Sequence, residues 1–494
     1  MTRKLAFKAL HLCLSILLIS SLPAIAVDEV VSSGDSQSIN LTIYNQNFGV
    51  VKDTRSLTLS NGLNYVRFED VAAHIDPTSV SFISLTAPNA VTVREQNYQY
   101  DIIDPTTILS KSVGKTIKFV QLTDNGGTRE WTGVLINSPR ATVSDTDGNT
   151  SERMQGLVVK TTEGIILNPI GQIELKELPP GLVAKPSLLW KLETTKPGEH
   201  KAEISYQTSN MNWRCDYVAI LNAADNELDL TSWVTLDNKS GASYKQANLK
   251  LMAGDVHRVV APAPPPAPMV DMVMEAGESM APQFKEQSFA EYHLYTLQNK
   301  TDVLDQETKQ LTLFNAAKIP ALKRFVFEPE VQQFIPMDGG YGGRNAQKVN
   351  VKIEVSNTEQ NHLGMPMPKG KVRVYKRDTD GALQFIGEDM IDHTPRDEKI
   401  RLYIGDAFDI VAERKQLNVQ QISDRVQRLT YEISLRNHKD SEVTITCVEH
   451  AWGEWTIMNS SQPHTKTDSK TFEFNVIVPA NGETKLRYEI EQRY

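Results

Sequence analysis

The densest group of chemically capable side chains lies near the C-terminus, in the run Glu449-His450-Ala451-Trp452-Gly453-Glu454-Trp455. If this run is a strand, alternate side chains share a face, so His450, Trp452 and Glu454 point the same way. A tryptophan beside an imidazole and a carboxylate suits stacking on a sugar ring with an acid nearby. We therefore predict these three residues as a ligand-contact site. The alternative is a core strand anchored by tryptophan, with its charged residues pointing outward.

Other motifs that would indicate catalysis or metal binding are incomplete. Gly114-Lys115-Thr116 has the end of a phosphate-binding loop, but Leu109 stands where the first glycine belongs. Asp145-Thr146-Asp147-Gly148 and Asp378-Thr379-Asp380-Gly381 begin like calcium loops but lack the remaining carboxylates, so we predict hairpin turns there. The ten histidines have no zinc-ligand spacing. We predict no catalytic residue, no cofactor and no metal site from these motifs.

Two cysteines, Cys215 and Cys447, remain once the N-terminal apolar run, which holds Cys13, is set aside. An oxidising compartment would permit a disulfide between them. Each nevertheless lies in an apolar, strand-like context, where a free cysteine behaves as a small hydrophobic residue. Both alternatives stay open: a disulfide between Cys215 and Cys447, or two buried thiols.

The N-terminus has the pattern of an export signal. Arg3, Lys4 and Lys8 precede an apolar run, and Ala24-Ile25-Ala26 supplies the small residues of a cleavage site. We predict a signal peptide over residues 1–26 and a mature protein that is exported to the periplasm or cell surface, without an integral membrane span. The formal charge of −9 is acidic, which argues against a nucleic-acid partner.

The elements that must position these side chains are strands. Apolar and polar residues alternate over short runs bounded by turn residues, which is the period of two that strands have. We predict an all-β fold of modular, immunoglobulin-like β-sandwiches with a small β-barrel and little helix. Asn61-Gly62 and Asn481-Gly482, each between alternating runs, predict two hairpins. The segment from Asp406 to Gln416 fits either a helix or a strand.

Shifts in composition divide the chain after the signal peptide into four predicted units. They are an N-terminal β domain over 27–108, a small β-barrel-like domain over 109–180, a β-sandwich over 181–335 and a C-terminal β-sandwich over 336–494. An asparagine follows a strand-like run at Asn238, Asn357 and Asn437, and this recurrence suggests related sandwiches.

The third unit is interrupted by a segment that cannot form an inner strand. Residues 261–268 are drawn only from alanine and proline, and four methionines follow between Met269 and Met280. Because the runs on either side read as strands, we predict an exposed, flexible loop over residues 259–288. Thioethers also suit Cu(I), so a copper-binding segment is the alternative.

Several phrases of the sequence together resemble a bacterial family catalogued as domain of unknown function 4139. They include Asn212-Trp213-Arg214-Cys215-Asp216-Tyr217, Trp233-Val234-Thr235-Leu236-Asp237-Asn238, Glu291-Tyr292-His293-Leu294-Tyr295 and Gly405-Asp406-Ala407-Phe408-Asp409. The family looks like a distant relative of mucoidy inhibitor proteins. This resemblance implies a cell-envelope setting and a link to exopolysaccharide regulation, and it implies no catalytic residues.

Together these observations predict an exported cell-envelope protein that acts as a non-enzymatic binding or scaffold protein. Its partner would be an envelope protein or polysaccharide. The alternative is a hydrolase that acts on envelope polysaccharide or peptide around His450, Trp452 and Glu454.

Overall fold

The computed structural model describes residues 30–32, 35–122, 127–144, 150–258, 283–329 and 347–493. The predicted signal peptide lies outside these ranges. Nearly all regular structure in the described part is strand, which confirms the all-β prediction. The exceptions are one helix, α1 (Pro105–Lys111), and two 3-10 turns, Pro77–Ser79 and Glu359–Asn361. No helix in this part of the chain is long and apolar enough to cross a membrane.

The strands of the described residues are numbered in chain order. In the first 180 residues they are β1 (Val30–Ser32), β2 (Ser38–Tyr44), β3 (Phe48–Leu59), β4 (Gly62–Glu69), β5 (Ser81–Ser84), β6 (Val91–Gln99), β7 (Thr116–Leu122), β8 (Thr128–Leu135), β9 (Arg140–Ser144), β10 (Thr150–Met154), β11 (Val158–Lys160), β12 (Ile165–Leu167) and β13 (Gln172–Glu174). The next are β14 (Ser187–Thr194), β15 (Gly198–Ser209), β16 (Met211–Leu221), β17 (Glu227–Asn238), β18 (Tyr244–Ala253), β19 (Phe284–Phe289), β20 (Tyr292–Leu297), β21 (Thr301–Val303) and β22 (Glu307–Phe327). The last are β23 (Gln347–Ser356), β24 (Gly370–Arg377), β25 (Leu383–Ile391), β26 (Lys399–Ser423), β27 (Val426–Asn437), β28 (Val443–His450), β29 (Glu454–Ser460), β30 (His464–Lys466), β31 (Thr471–Val478) and β32 (Gly482–Arg493).

Strands from distant parts of the sequence share sheets. A four-stranded sheet has the order β1-β4-β14-β6, and an eight-stranded sheet the order β19-β20-β18-β2-β3-β15-β5, with β21 paired to β18. Residues 48–59 and 198–209 therefore lie side by side in one layer. The first and third predicted units therefore contribute neighbouring strands to the same sheet. The predicted boundaries between the units stay a prediction.

Two long strands connect consecutive sandwiches. β22 pairs first with β17 and then with β23, and β26 pairs first with β23 and then with β27. Register shifts interrupt these ladders, and a bulge bends and twists a strand. One strand can therefore leave one sandwich and enter the next. Residues 406–416 lie inside β26, so the strand alternative for this segment is confirmed.

Three clusters of buried apolar side chains form the cores. The largest contains Trp190, Trp213 and Cys215. The second fills the C-terminal sandwich and contains Cys447, and a small third cluster lies in the sheet of β7 and β8. Both cysteines are buried free thiols in different cores. Of the two alternatives left open by the sequence, two buried thiols describe the structure.

Neither Asn-Gly turn makes a hairpin, contrary to the prediction. β3 lies in the eight-stranded sheet, whereas β4, after Asn61-Gly62, lies in the four-stranded sheet. β31 pairs with β28 and β30, whereas β32, after Asn481-Gly482, pairs with β27 and β29. The rings of Phe474 on β31 and Tyr488 on β32 lie 5.3 Å apart inside the core. Each turn therefore carries the chain from one layer to the facing layer.

The predicted small barrel is a curled sheet that stays open. Its order is β12-β11-β8-β7-β13, and no ladder joins β12 to β13. Residues 165–167 pair with β11 and residues 172–174 pair with β7, so 165–174 runs as one broken strand that wraps the sheet round. Asn168 and Gly171 adopt positive φ at the break. The break stops the two edges from pairing along their length.

The strands that flank the predicted loop over 259–288 pair directly, with Leu251 on β18 opposite Tyr295 on β20. The chain therefore leaves this sheet and returns to it, as predicted. The loop nevertheless ends earlier than predicted, because β19 begins at Phe284, whose buried side chain joins the largest core. Residues 259–282, with the alanines, prolines and methionines, lie outside the described residues.

The three recurrent asparagines close equivalent corners and are fully buried. The side-chain amide of Asn238 donates to the carbonyl four residues ahead and to that of Leu304. Asn437 does the same, with Pro479 in the place of Leu304. Asn357 uses a longer loop but again donates to two carbonyls from separate segments. The recurrence in the sequence therefore marks a repeated sandwich corner.

Candidate functional site

The three predicted ligand-contact residues do not share one strand. β28 ends at His450, residues 451–453 form a turn with Gly453 at φ +68, and β29 begins at Glu454. The period-two argument therefore does not apply across this turn. Trp452 is 52% exposed, and the side chain of Glu454 is 85% exposed beside Arg493. The role of these residues as a ligand-contact set stays a prediction.

His450 lies between a hydroxyl and a carboxylate. Its Nδ1 is 3.2 Å from Thr471 Oγ1, and its Nε2 is 3.0 Å from Glu328 Oε1. These are the groups that a hydrolase uses to activate a nucleophile. The backbone N–H of Thr471, however, is donated to Asp468. The N–H groups of Lys470 and Thr471 lower the pKa of Asp468, so its negative charge opposes an oxyanion at this position.

Two lysines reach the tryptophan rings, Lys466 from the end of β30 and Lys470 from the loop before β31. Lys470 Nζ lies 5.5 Å from the ring centroid of Trp452, and Lys466 Nζ lies 4.4 Å from that of Trp455. The N–H of Ala451 donates to the carbonyl of Lys470, which joins the two loops. We call the set Trp452, Trp455, Lys466 and Lys470 the tryptophan rim. Nothing local in the sequence links these lysines to the tryptophans, so sequence reasoning missed them.

The two tryptophans of the rim have different roles. Trp455 is anchored, because its Nε1 donates to the carbonyl of Ser469 and its ring packs on Phe472 at 4.9 Å. Trp452 instead presents much of its ring to solvent. An amphipathic ring left exposed on a loop is typical of contact surfaces.

Glu449 points into the core, whereas the core-strand alternative placed charged residues outside. Its carboxylate is 2% exposed and accepts two hydrogen bonds of 2.9 Å from Arg414 and one of 2.7 Å from Tyr488. Burial raises the pKa of the Tyr488 phenol well above its usual value. This bidentate pair joins the two layers of the C-terminal sandwich, so we assign it a structural role.

A second surface, missed by sequence reasoning, covers the outside of the curled sheet. On the central strand β11, Lys160 lies opposite Val134 of β8 on one side and Ile165 of β12 on the other. Val158 of β11 lies opposite Leu167 of β12. Ile165 is 64% and Leu167 is 69% exposed. We call Val134, Val158, Ile165 and Leu167 the apolar face. The signal was in the runs Val158-Val159 and Ile165-Ile166-Leu167, which are apolar on both sides of a strand.

A separate, shallow cavity of about 330 Å³ lies between α1, the β9–β10 hairpin and the break after β12. Its lining includes Leu109, Pro139, Met154, Leu157 and Pro169. Because no charged side chain lines it, the cavity suits apolar groups. In the described ranges, no three His, Cys, Asp or Glu side chains are close enough together to hold a metal ion.

The fold and these surfaces define a modular all-β protein built from linked sandwiches and a small curled sheet. The chain belongs to the family described as Domain of unknown function (DUF4139), whose model matches residues 202–494. The tryptophan rim lies inside the matched region, and the apolar face lies before it. No curated protein matches the chain.

Proposed function

We propose that this protein is exported to the bacterial cell envelope and acts there as a non-enzymatic binding or scaffold protein. The observation that carries the proposal is the apolar face. Exposed aliphatic side chains gathered on one face of a small sheet mark an interaction surface. The partner is a protein with a complementary apolar surface.

Export is supported by the N-terminal sequence, with its basic start, apolar run and Ala24-Ile25-Ala26. Expression of the full chain in a bacterial host should release a mature form that begins at Val27. Mass spectrometry of the protein from the periplasmic fraction checks this. An uncleaved chain that retains residues 1–26 and is found in the cytoplasm would contradict the proposal.

Site-specific photo-crosslinking in the native envelope tests the partner. A photoreactive residue at Ile165 or Leu167 should give one discrete adduct. The matched control is Ile477, an exposed aliphatic residue (56%) on a strand of the C-terminal sandwich. The double variant I165E/L167E should abolish binding of the partner identified from that adduct. Identical adducts from positions 165 and 477, or unchanged binding by the double variant, would overturn the proposal.

The alternative function, hydrolysis of envelope polysaccharide or peptide, is supported by the chain from Thr471 through His450 to Glu328. It predicts that T471A and H450A lose at least about 100-fold in turnover of peptidoglycan or exopolysaccharide fragments. The position of Asp468 argues against this function. Turnover that is absent, or equal in both variants and the wild type, excludes it.

A further inference from the structure

The tryptophan rim brings together an exposed indole ring and an ammonium group from two separate segments. Trp452 lies in the turn after β28, and Lys470 lies in the loop before β31, 18 positions later in the sequence. The hydrogen bond from Ala451 to the carbonyl of Lys470, at 2.7 Å, holds the two loops together. The ring and the ammonium group are therefore positioned by the fold and not by sequence neighbourhood.

We infer that the tryptophan rim is a binding site for an acidic polysaccharide, with a sugar ring stacked on Trp452 and its carboxylate paired with Lys470. This inference is independent of the partner proposed for the apolar face. It extends the predicted site of His450, Trp452 and Glu454 by the lysines and names the charge of the ligand.

The exposed indole ring of Trp452 is the reason for inferring a sugar ligand. An indole face attracts the slightly positive C–H groups of a pyranose ring, as it attracts other positive edges. Trp455 is less open than Trp452, because its ring packs on Phe472 and Lys466 Nζ lies 4.4 Å from its centroid. One sugar of the polymer therefore stacks on Trp452, and neighbouring sugars run along the surface toward Lys466.

Lys466 and Lys470 are the reason for inferring that the polysaccharide carries carboxylates. An ammonium over an exposed ring is held by only about 0.5–1 kcal/mol, so Lys470 can move from the ring to a ligand carboxylate at small cost. The acidic side chains on these loops have partners of their own. Asp468 accepts the N–H groups of Lys470 and Thr471, and Glu454 lies 3.9 Å from Arg493. Lys466 and Lys470 lie over the rings of Trp455 and Trp452, from which their ammonium groups can turn to a ligand.

The test compares two forms of one polymer. Polygalacturonate carries a carboxylate on each sugar, and its fully methyl-esterified form has the same rings without charge. The wild-type protein should bind polygalacturonate in affinity electrophoresis and titration calorimetry, with affinity that falls as salt rises. The esterified polymer should bind at least about fivefold more weakly. Tryptophan fluorescence should change on binding.

Variants locate the site. W452A should lower the affinity for polygalacturonate at least about fivefold and remove the fluorescence change, and K470Q should lower it about threefold. F408A is the control for an exposed aromatic ring, since Phe408 is 96% exposed. K439Q is the control for a lysine over a ring, since Lys439 lies 5.8 Å from Phe325 at the other end of β28. Both controls should bind as the wild type does.

Three results would overturn the inference: no binding of polygalacturonate by the wild type, equal affinity for the esterified polymer, or unchanged affinity in W452A. The I165E/L167E variant should bind the polymer normally. I165E/L167E should lose the protein partner and keep the polymer, whereas W452A should lose the polymer and keep the protein partner. The two variants thus test the proposed function and this inference separately.

Discussion

At the residue scale, Cys215 and Cys447 are both buried thiols. Burial raises the pKa of Cys215 to about 12, and burial also raises the pKa of Cys447. The thiolate is the reactive form, so both cysteines are inert at neutral pH. They act as small core residues.

A chain prepared from Val27 onward, which lacks Cys13, should therefore show no thiol that reacts with Ellman's reagent at pH 8 in the native state. After unfolding in urea without a reductant it should show two. A disulfide would instead give none until a reductant is added. The same assay on C215S should show one thiol after unfolding, which controls for incomplete unfolding.

A second residue-scale feature is the carboxylate of Asp225, which lies 2.8 Å from Lys323 Nζ and 2.6 Å from Lys376 Nζ. Burial opposes its ionisation, but the two ammonium groups outweigh burial and hold the pKa of Asp225 below its usual value. A depressed folded-state pKa adds stability above the unfolded-state pKa of about 3.9, and this contribution is lost as pH falls through the folded-state value.

D225N should therefore lower the free energy of unfolding by about 1–2 kcal/mol at pH 7, with a smaller difference from wild type at pH 3. Asparagine tolerates the positive φ of 59° at this position, so backbone strain does not confuse the result. Urea unfolding at both pH values measures the difference. The exposed Asp424 provides the control variant D424N, and an equal loss for D225N at both pH values would contradict the ion-pair account.

At the element scale, the repeated corner explains how one sandwich follows another. Asn238 ends β17 and Asn437 ends β27, and each amide bridges its own loop to the end of a different strand. Their carbonyl oxygens accept the N–H two residues ahead. An alanine would leave several buried backbone groups without partners, and each such group costs about 1–3 kcal/mol.

N238A and N437A should each lower the free energy of unfolding by about 2–4 kcal/mol. The exposed Asn459 gives the matched control, and N459A should change it by less than about 0.5 kcal/mol. Denaturant titration followed by tryptophan fluorescence measures all three. Equal stability of N238A and N459A would show that the corner does not depend on the asparagine.

At the scale of the whole molecule, strands that precede the predicted loop pair with strands that follow it. β17 pairs with β22 and β18 pairs with β20, so a break between residues 259 and 282 cuts no ladder. The largest core also draws residues from both sides of this segment. Two chain fragments would therefore remain one particle.

Limited proteolysis should cut first within residues 259–282, because the closely spaced prolines of this segment cannot supply ladder donors. The products should be two fragments of roughly equal mass on a denaturing gel that elute together on size exclusion. The hairpin turn at residues 378–381, exposed but short, should be cut later and serves as the internal control. Earlier cleavage at this turn, or separation of the fragments, would contradict the expectation.

The sequence by itself determined the element type almost everywhere. Alternation with period two is imposed by one buried and one exposed face, so it predicted the strands and the return from β18 to β20. The recurrent asparagines suggested related sandwiches, and the structure shows that each of them closes a corner. Asp378-Thr379-Asp380-Gly381 likewise forms the predicted turn, between β24 and β25. These features depend on a few neighbouring residues, and local patterns record them.

Only the tertiary structure decided which strands meet. An Asn-Gly turn reverses the chain whether the next strand pairs beside the first or packs opposite it, so both hairpin predictions were wrong. Lys470 reaches Trp452, and Lys160 joins Val134 to Ile165, through contacts between segments that are distant in the sequence. Such contacts are selected by the total apolar area that two layers bury together, and that sum cannot be evaluated one segment at a time.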